Sequence, residues 1–200
     1  LQEQQPEKEL VEQTLSGDTD AFTELVRLYE KPVYNLAYRM LGNSVEAEDA
    51  AQEAFIKAYS NLQRYDLSRS FKTWILSITS NHCIDRLRKR RLTWLSLDEP
   101  LPAHPALVSS DTSPEAATLA KELSTQVQDL LSNLNDDYRL VVVLRYWYEL
   151  SYSEIADMTE TTESAVKSRL FRARQALAKL VDLENSPLIA EMATLMENNA

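Results

Sequence analysis

The sequence predicts an all-α chain: two small helical domains joined by an extended, acidic, proline-containing linker. Three observations lead there. Only two glycines, Gly17 and Gly42, occur in 200 residues, and no segment sustains strand-like alternation. Apolar residues recur instead at helical spacing. Between residues 93 and 120 there is no Lys or Arg, while Pro100, Pro102, Pro105 and Pro114 accompany Asp98, Glu99 and Asp111. That composition suits a tether between folded units. The expected division is a first domain over 1–94, a linker over 95–114, a second domain over 115–183 and a tail over 184–200.

In the first domain, helices are expected over roughly Asp18 to Tyr29, Pro32 to Leu41, Val45 to Leu62 and Phe71 to Arg91. Gly42 closes the second, and Asn43, with Glu46 three positions on, caps the third. The third carries Glu46, Glu48, Asp49, Gln52 and Glu53 along one edge, either a solvated face or a docking surface for a basic partner. The fourth has two apolar stripes, Phe71, Trp74, Ile75 and Ile78 on one side and Leu76, Cys83 and Leu87 on the other, which marks a central helix of a bundle. Trp74, Asn81 and Arg88 form a third line along it. Trp74 suits either the core or a stacking platform. The helix ends in Arg86-Leu-Arg-Lys-Arg-Arg91, more cations than the helix dipole calls for. A phosphate-tracking surface explains them better, although RNA or a membrane surface would attract the same run.

The second domain opens with a cap, proline and acid at Ser113-Pro114-Glu115. Its most informative part is a helix-turn-helix. Ser151-Tyr-Ser-Glu154 is a capping box for the first helix. On the second, Val166, Leu170, Ala173, Leu177 and Leu180 form one apolar stripe, given about 100° per residue. Ser164, Ser168, Phe171, Arg172 and Gln175 lie opposite, with Lys167 and Arg174 on the flanks. A phenylalanine facing away from the core among Arg, Ser and Gln fits a major groove: Arg for guanine or phosphate, Gln and Ser for base edges, Phe for a thymine methyl. An ordinary solvated face with one stray aromatic is the alternative. In the tail, Leu188, Ile189, Met192, Leu195 and Met196 suggest a short amphipathic helix.

Charge and composition narrow the function. The net charge is −10, unusual for a protein that grips DNA by itself. The charge is segregated, however. From Arg64 to Arg91 eight basic residues face two acidic ones, and from Glu163 to Lys179 five face one. Two basic islands on an acidic body imply weak binding to DNA alone and a second, basic partner for the acidic surfaces. The longest aliphatic run, Leu140 to Leu144, is too short to span a bilayer, and no charged-then-apolar segment opens the chain. A cytoplasmic protein without direct membrane insertion is expected. Cys83 is the lone cysteine, and His82 and His104 are the two histidines, too few ligands for a zinc site. Adjacent on a helix, His82 and Cys83 diverge and cannot form a catalytic pair. No Gly-rich oxyanion turn is present. No enzyme activity, cofactor, metal or small-molecule substrate is expected.

Together these segments resemble the bacterial RNA polymerase sigma factors of the extracytoplasmic-function (ECF) group, over about Asp18 to Leu183. The resemblance rests on Ala21-Phe-Thr-Glu-Leu, on Ala47-Glu-Asp-Ala-Ala-Gln-Glu-Ala-Phe55, on Phe71-Lys-Thr-Trp-Ile with Asn81-His-Cys-Ile-Asp-Arg-Leu-Arg88, and on Leu150-Ser-Tyr-Ser-Glu-Ile-Ala156 with Ala165-Val-Lys-Ser-Arg-Leu-Phe-Arg-Ala-Arg174. It implies that Glu48, Asp49, Gln52, Glu53 and Phe55 dock on the largest-subunit clamp of core RNA polymerase. Tyr65, Arg69, Trp74 and Asn81 would open the promoter −10 element and hold its unpaired bases, with Arg86, Arg88, Lys89, Arg90 and Arg91 on adjacent phosphates. Ser164, Lys167, Ser168, Phe171, Arg172 and Gln175 would read the −35 element. The linker would run toward the RNA exit path, and an anti-sigma factor is an implied partner. Two departures stand out: Glu149 where many members have glycine, and Ser164 in place of a common glycine. A stand-alone helix-turn-helix regulator, acting without polymerase, is the competing function.

Overall fold

The computed structural model describes residues 4–95 and 124–184. The linker expected over 95–114, past its first residue, the helix start at Ser113 and the apolar stripe of the tail lie outside them. Among the described residues there are eight α-helices and no strands. The chain divides into two compact units, Leu1–Pro102 and Ala103–Ala200.

In the first unit, α1 (Gln4–Leu15) packs on α2 (Thr19–Leu41), α2 on α3 (Ser44–Asn61), and both on α4 (Phe71–Leu95), with a 3₁₀ turn at Leu62–Arg64. Sequence reasoning named no helix before Asp18. The reason is the weak inward signal of α1: Val11 is fully buried, but its neighbour on that face is Thr14, whose hydroxyl donates to the Leu10 carbonyl at 2.7 Å. A second difference concerns Pro32, expected to begin a new helix. The structure instead runs one helix from Thr19 to Leu41 through it. An interior proline costs about 3 kcal/mol. That cost is offset because Ala21, Leu25 and Tyr29 before it and Val33, Leu36, Ala37 and Met40 after it bury into the same core. Asp18 caps this helix through the N–H groups of Asp20 and Ala21. Gly42 ends it at φ 73°, donating its N–H to the Tyr38 carbonyl at 2.8 Å, and Asn43 Oδ1 accepts from the Glu46 N–H at 3.0 Å to start α3.

The inward face of α3 is almost wholly alanine: Ala47, Ala50, Ala51, Ala54 and Ala58 are all buried. Small side chains let neighbouring helices approach closely, which brings the acidic edge of α3 against the basic end of α4. As expected for a central helix, α4 buries Phe71, Ile75, Leu76, Cys83, Ile84 and Leu87. Thr79 and Ser80, also buried, return their hydroxyls to the carbonyls of Ile75 and Leu76, each at 2.8 Å.

In the second unit, α5 (124–132), α7 (Tyr152–Met158) and α8 (Glu163–Glu184) accompany α6 (Asp136–Trp147). Leu140 to Leu144 are buried without a break, so α6 is covered on every side. The charged Arg139 is buried as well. Its guanidinium donates to the carbonyls of Leu131 (2.8 Å), Ser132 (3.1 Å) and Leu134 (3.2 Å), satisfying the orphan acceptors where α5 ends. Ser151 and Glu154 form both halves of the capping box of α7. Thr162 Oγ1 accepts from the Ala165 N–H at 3.2 Å at the start of α8.

Candidate nucleic-acid and partner-docking surfaces

The stripe expected to anchor α8 is buried at Val166, Leu170, Ala173 and Leu177, with Leu180 half-buried at its end. Consequently Ser164, Lys167, Ser168, Phe171, Arg172 and Gln175 all lie on the exposed side, and Phe171 is 54% exposed. Arg169 turns away from this group toward Asp137 of α6, at 4.0 Å. Lys167 Nζ lies 5.5 Å from the ring centroid of Tyr152 on α7, beside Arg145 at 5.2 Å from the same ring. A cation held over an aromatic face is steadied without losing its charge. The turn that aims α8 contains Glu160 at φ 51°, and Glu149, just before α7, stands at φ 56°. Both lie in the left-handed region that favours glycine.

In the first unit, Tyr65, Phe71 and Trp74 form an aromatic cluster, with ring centroids 4.8 to 5.8 Å apart. Phe71 is buried, whereas Tyr65 and Trp74 are partly exposed and pack on the core from outside. Trp74 is therefore both core support and accessible ring. Tyr65 Oη donates to the Arg69 carbonyl, and burial, with Glu7 and Asp66 nearby, pushes its phenol up to about 12. Asp66 shapes the same loop by accepting the Ser68 N–H at 2.9 Å, with Arg69 at 3.8 Å. The Ser68 hydrogen bonds, then Arg69, hold its carboxyl below the ordinary value. Asn81, Arg88, Lys89 and Arg91 are exposed along α4.

Arg86 and Arg90 reach across to α3. Arg90 donates to the Glu46 carboxylate, and Arg86 approaches Asp49 Oδ2 at 3.6 Å. Two of the five cations expected on phosphates are thus engaged with α3. Cys83 is buried, and desolvation pushes its thiol up to about 12, so it is not a nucleophile at neutral pH.

Along α3, Glu48, Asp49, Gln52 and Glu53 are exposed. Phe55 is only partly so, because it packs against the core. Sequence reasoning passed over three exposed apolar residues on the same helix: Val45 (65%), Ile56 (59%) and Tyr59 (48%). Val45, Asp49, Gln52, Ile56 and Tyr59 recur at alternating steps of four and three, the spacing of a helix-pairing seam. Tyr59 rests edge-on against Phe22 of α2 at 4.9 Å. The spacing is legible in the sequence, interleaved with the more prominent charges.

Comparison with known proteins accounts for both units. Residues 25–93 match the model of sigma-70 region 2, and residues 124–177 match that of sigma-70 region 4. The ECF RNA polymerase sigma factor SigW of Bacillus subtilis is 41% identical over 177 residues, spanning 86% of this chain and 95% of that protein. The chain belongs to the ECF sigma factors. The ECF sigma-E factor of Escherichia coli K12 is 34% identical over 195 residues, 94% of this chain and 99% of its own. Among solved structures, CnrH in complex with the cytosolic domain of CnrY is 25% identical, with a TM-score of 0.66 over 90% of this chain and 99% of that one. RpoE of Bartonella quintana, solved with the anti-sigma factor NepR, is 23% identical, with a TM-score of 0.63 over 82% and 98%, and supports the fold alone. As an ECF sigma factor the chain binds core RNA polymerase and directs promoter-specific initiation. Among the described residues no helix is long and apolar enough to cross a membrane.

Proposed function

We propose that this sigma factor divides initiation among three surfaces. The observation that carries the reading is the coincidence, on α8, of every proposed base-reading side chain with the exposed face and of the apolar stripe with the core. Ser164, Lys167, Ser168, Phe171, Arg172 and Gln175 read the −35 duplex from the major groove. Tyr65, Arg69, Trp74 and Asn81 capture unpaired bases of the −10 element, and Arg88, Lys89 and Arg91, joined by Arg86 and Arg90, follow the phosphates. Glu48, Asp49, Gln52 and Glu53 meet the basic clamp of the polymerase, with Val45, Phe55, Ile56 and Tyr59 adding apolar contact. No covalent chemistry is required of the chain. Unstacking a base costs a few kcal/mol, and stacking on an aromatic ring with phosphate contacts offsets it. Polymerase holds the two DNA-reading units at a fixed separation, so two weak sites act as one.

The assembly works in the cytoplasm, and an anti-sigma factor is a further partner. The tail, 184–200, contributes to that contact through its apolar stripe. Deleting it should weaken regulator binding without affecting promoter choice. Unchanged regulator affinity would remove the tail from the account.

The division of labour is tested by three substitutions in reconstituted transcription. Glu53→Lys should prevent assembly with core enzyme. Asn81→Ala should impair opening while −35 binding persists. Arg172→Ala should cost about 1–3 kcal/mol only at promoters with the matching −35 base. Normal assembly by Glu53→Lys, or a uniform loss across promoters for Arg172→Ala, would refute the corresponding assignment.

A further inference from the structure

Side chains from two of the proposed working surfaces meet at the N-terminal turn of α3. Arg90 donates to the Glu46 carboxylate across 44 positions of chain. Arg86 donates to the Glu46 carbonyl at 3.5 Å and lies 3.6 Å from Asp49 Oδ2. The Arg90 and Glu46 side chains are 30% and 31% exposed, so this pair is only partly shielded from water. An acid in the first turn already suits a helix N-terminus; reaching across to the far end of α4 is an additional role. Asp49 belongs to the proposed docking edge, whereas Arg86 and Arg90 belong to the proposed phosphate-holding end. The carboxylates present to the guanidiniums the same acceptor chemistry that a phosphate would.

Resting on the function proposed above, we propose that Glu46 and Asp49 are internal stand-ins for DNA phosphates, which occupy Arg86 and Arg90 until a basic partner takes over the acidic edge. A guanidinium committed to these carboxylates cannot offer the same N–H groups to a strand. A cationic helix docking on this edge of α3 competes for Glu46 and Asp49 and leaves Arg90 and Arg86 for DNA. Core binding and strand capture are thereby linked: engagement of one surface frees the cations of the other. The arrangement also keeps two of the five cations in that run from DNA while the chain is alone.

The test uses the full chain without polymerase and a fluorescent single-stranded DNA oligonucleotide, with affinity measured by anisotropy at several salt concentrations. Glu46→Gln/Asp49→Asn should bind about three- to tenfold more tightly, the scale set by releasing two surface ion pairs. Its salt dependence should steepen by about 1.4, near 0.7 for each guanidinium released to a single strand. The control, Glu9→Gln/Glu30→Gln, removes the same charge from exposed sites on α1 and α2 and should leave the slope unchanged. Arg86→Ala added to the double variant should cancel much of that variant's gain. Asp49→Asn alone, which keeps the α3 first-turn acid, should show about half the change in slope and guards against loss of folding. Equal slopes for the double variant and the control would overturn the proposal, and if Arg88→Ala still weakens binding, α4 survives as the DNA surface. If Arg88→Ala has no effect either, the DNA assignment of α4 falls and takes the masking role with it.

Discussion

Lys167 Nζ stands 5.5 Å from the ring centroid of Tyr152, so a side chain proposed to face DNA is steadied by the helix before its own. Such contacts contribute about 0.5–1 kcal/mol at exposed sites. Tyr152→Leu should therefore reduce −35 duplex affinity two- to fivefold. Lys167→Ala should lose more, and the two losses should fail to add. A double-mutant cycle on −35 DNA, read with polymerase present, measures the coupling; additive losses would mean that Tyr152 does not position Lys167.

Glu149 occupies a left-handed backbone position at φ 56°. Placing glycine there removes the Cβ conflict at the cost of extra freedom in the unfolded chain. Glu149→Gly should raise stability by about 0.5–1 kcal/mol, whereas Glu149→Val should lower it by more than that. Denaturant midpoints of the three proteins give the order. If valine proves as stable as glutamate, the φ value carries no strain.

Arg139 is a structural cation, buried against three carbonyls at the end of α5. Arg139→Leu leaves those acceptors without their donor and should cost about 2–3 kcal/mol, within the range for lost charged hydrogen bonds. Urea unfolding of the full chain should show the second unit melting earlier and the first unchanged.

His82 makes stability depend on pH. Burial first, then Lys57 and Arg86, lower its pKa from the ordinary 6.5, while Glu53 and Asp85 pull the other way; Lys57 Nζ is 2.9 Å from its Nδ1. The unfolded chain therefore binds a proton at this site more readily than the folded one. The stabilising effect is present above about pH 6.5 and fades as pH falls through the lowered folded value. His82→Gln should flatten the fall in unfolding midpoint between pH 7.5 and 5.5. An equally steep fall in the variant would place the dependence elsewhere.

The parts of this fold legible in the sequence are those set by local signals. The Ser151–Glu154 box, the Gly42 stop, the Asn43 cap and the α8 stripe each depend on residues within about one or two turns of each other. What escaped depends on tertiary contacts. Pro32 reads as a break until the shared core on both sides of it is seen. Val11 gives too little signal to announce α1. The Arg90–Glu46 contact joins residues 44 apart, and nothing local distinguishes Arg90 from Lys89 or Arg91. Phe55 is half-buried, packing against the core with part of its ring still accessible, a division that helical phase alone does not give.

Promoter choice tests the central claim most directly. The purified chain, core RNA polymerase and a library of random promoters should yield transcripts from templates sharing one −35 and one −10 sequence at a fixed spacing, and the chain without core should leave no specific footprint on them. A footprint of equal strength without core, or a stable complex with core that selects no start sites, would contradict the account.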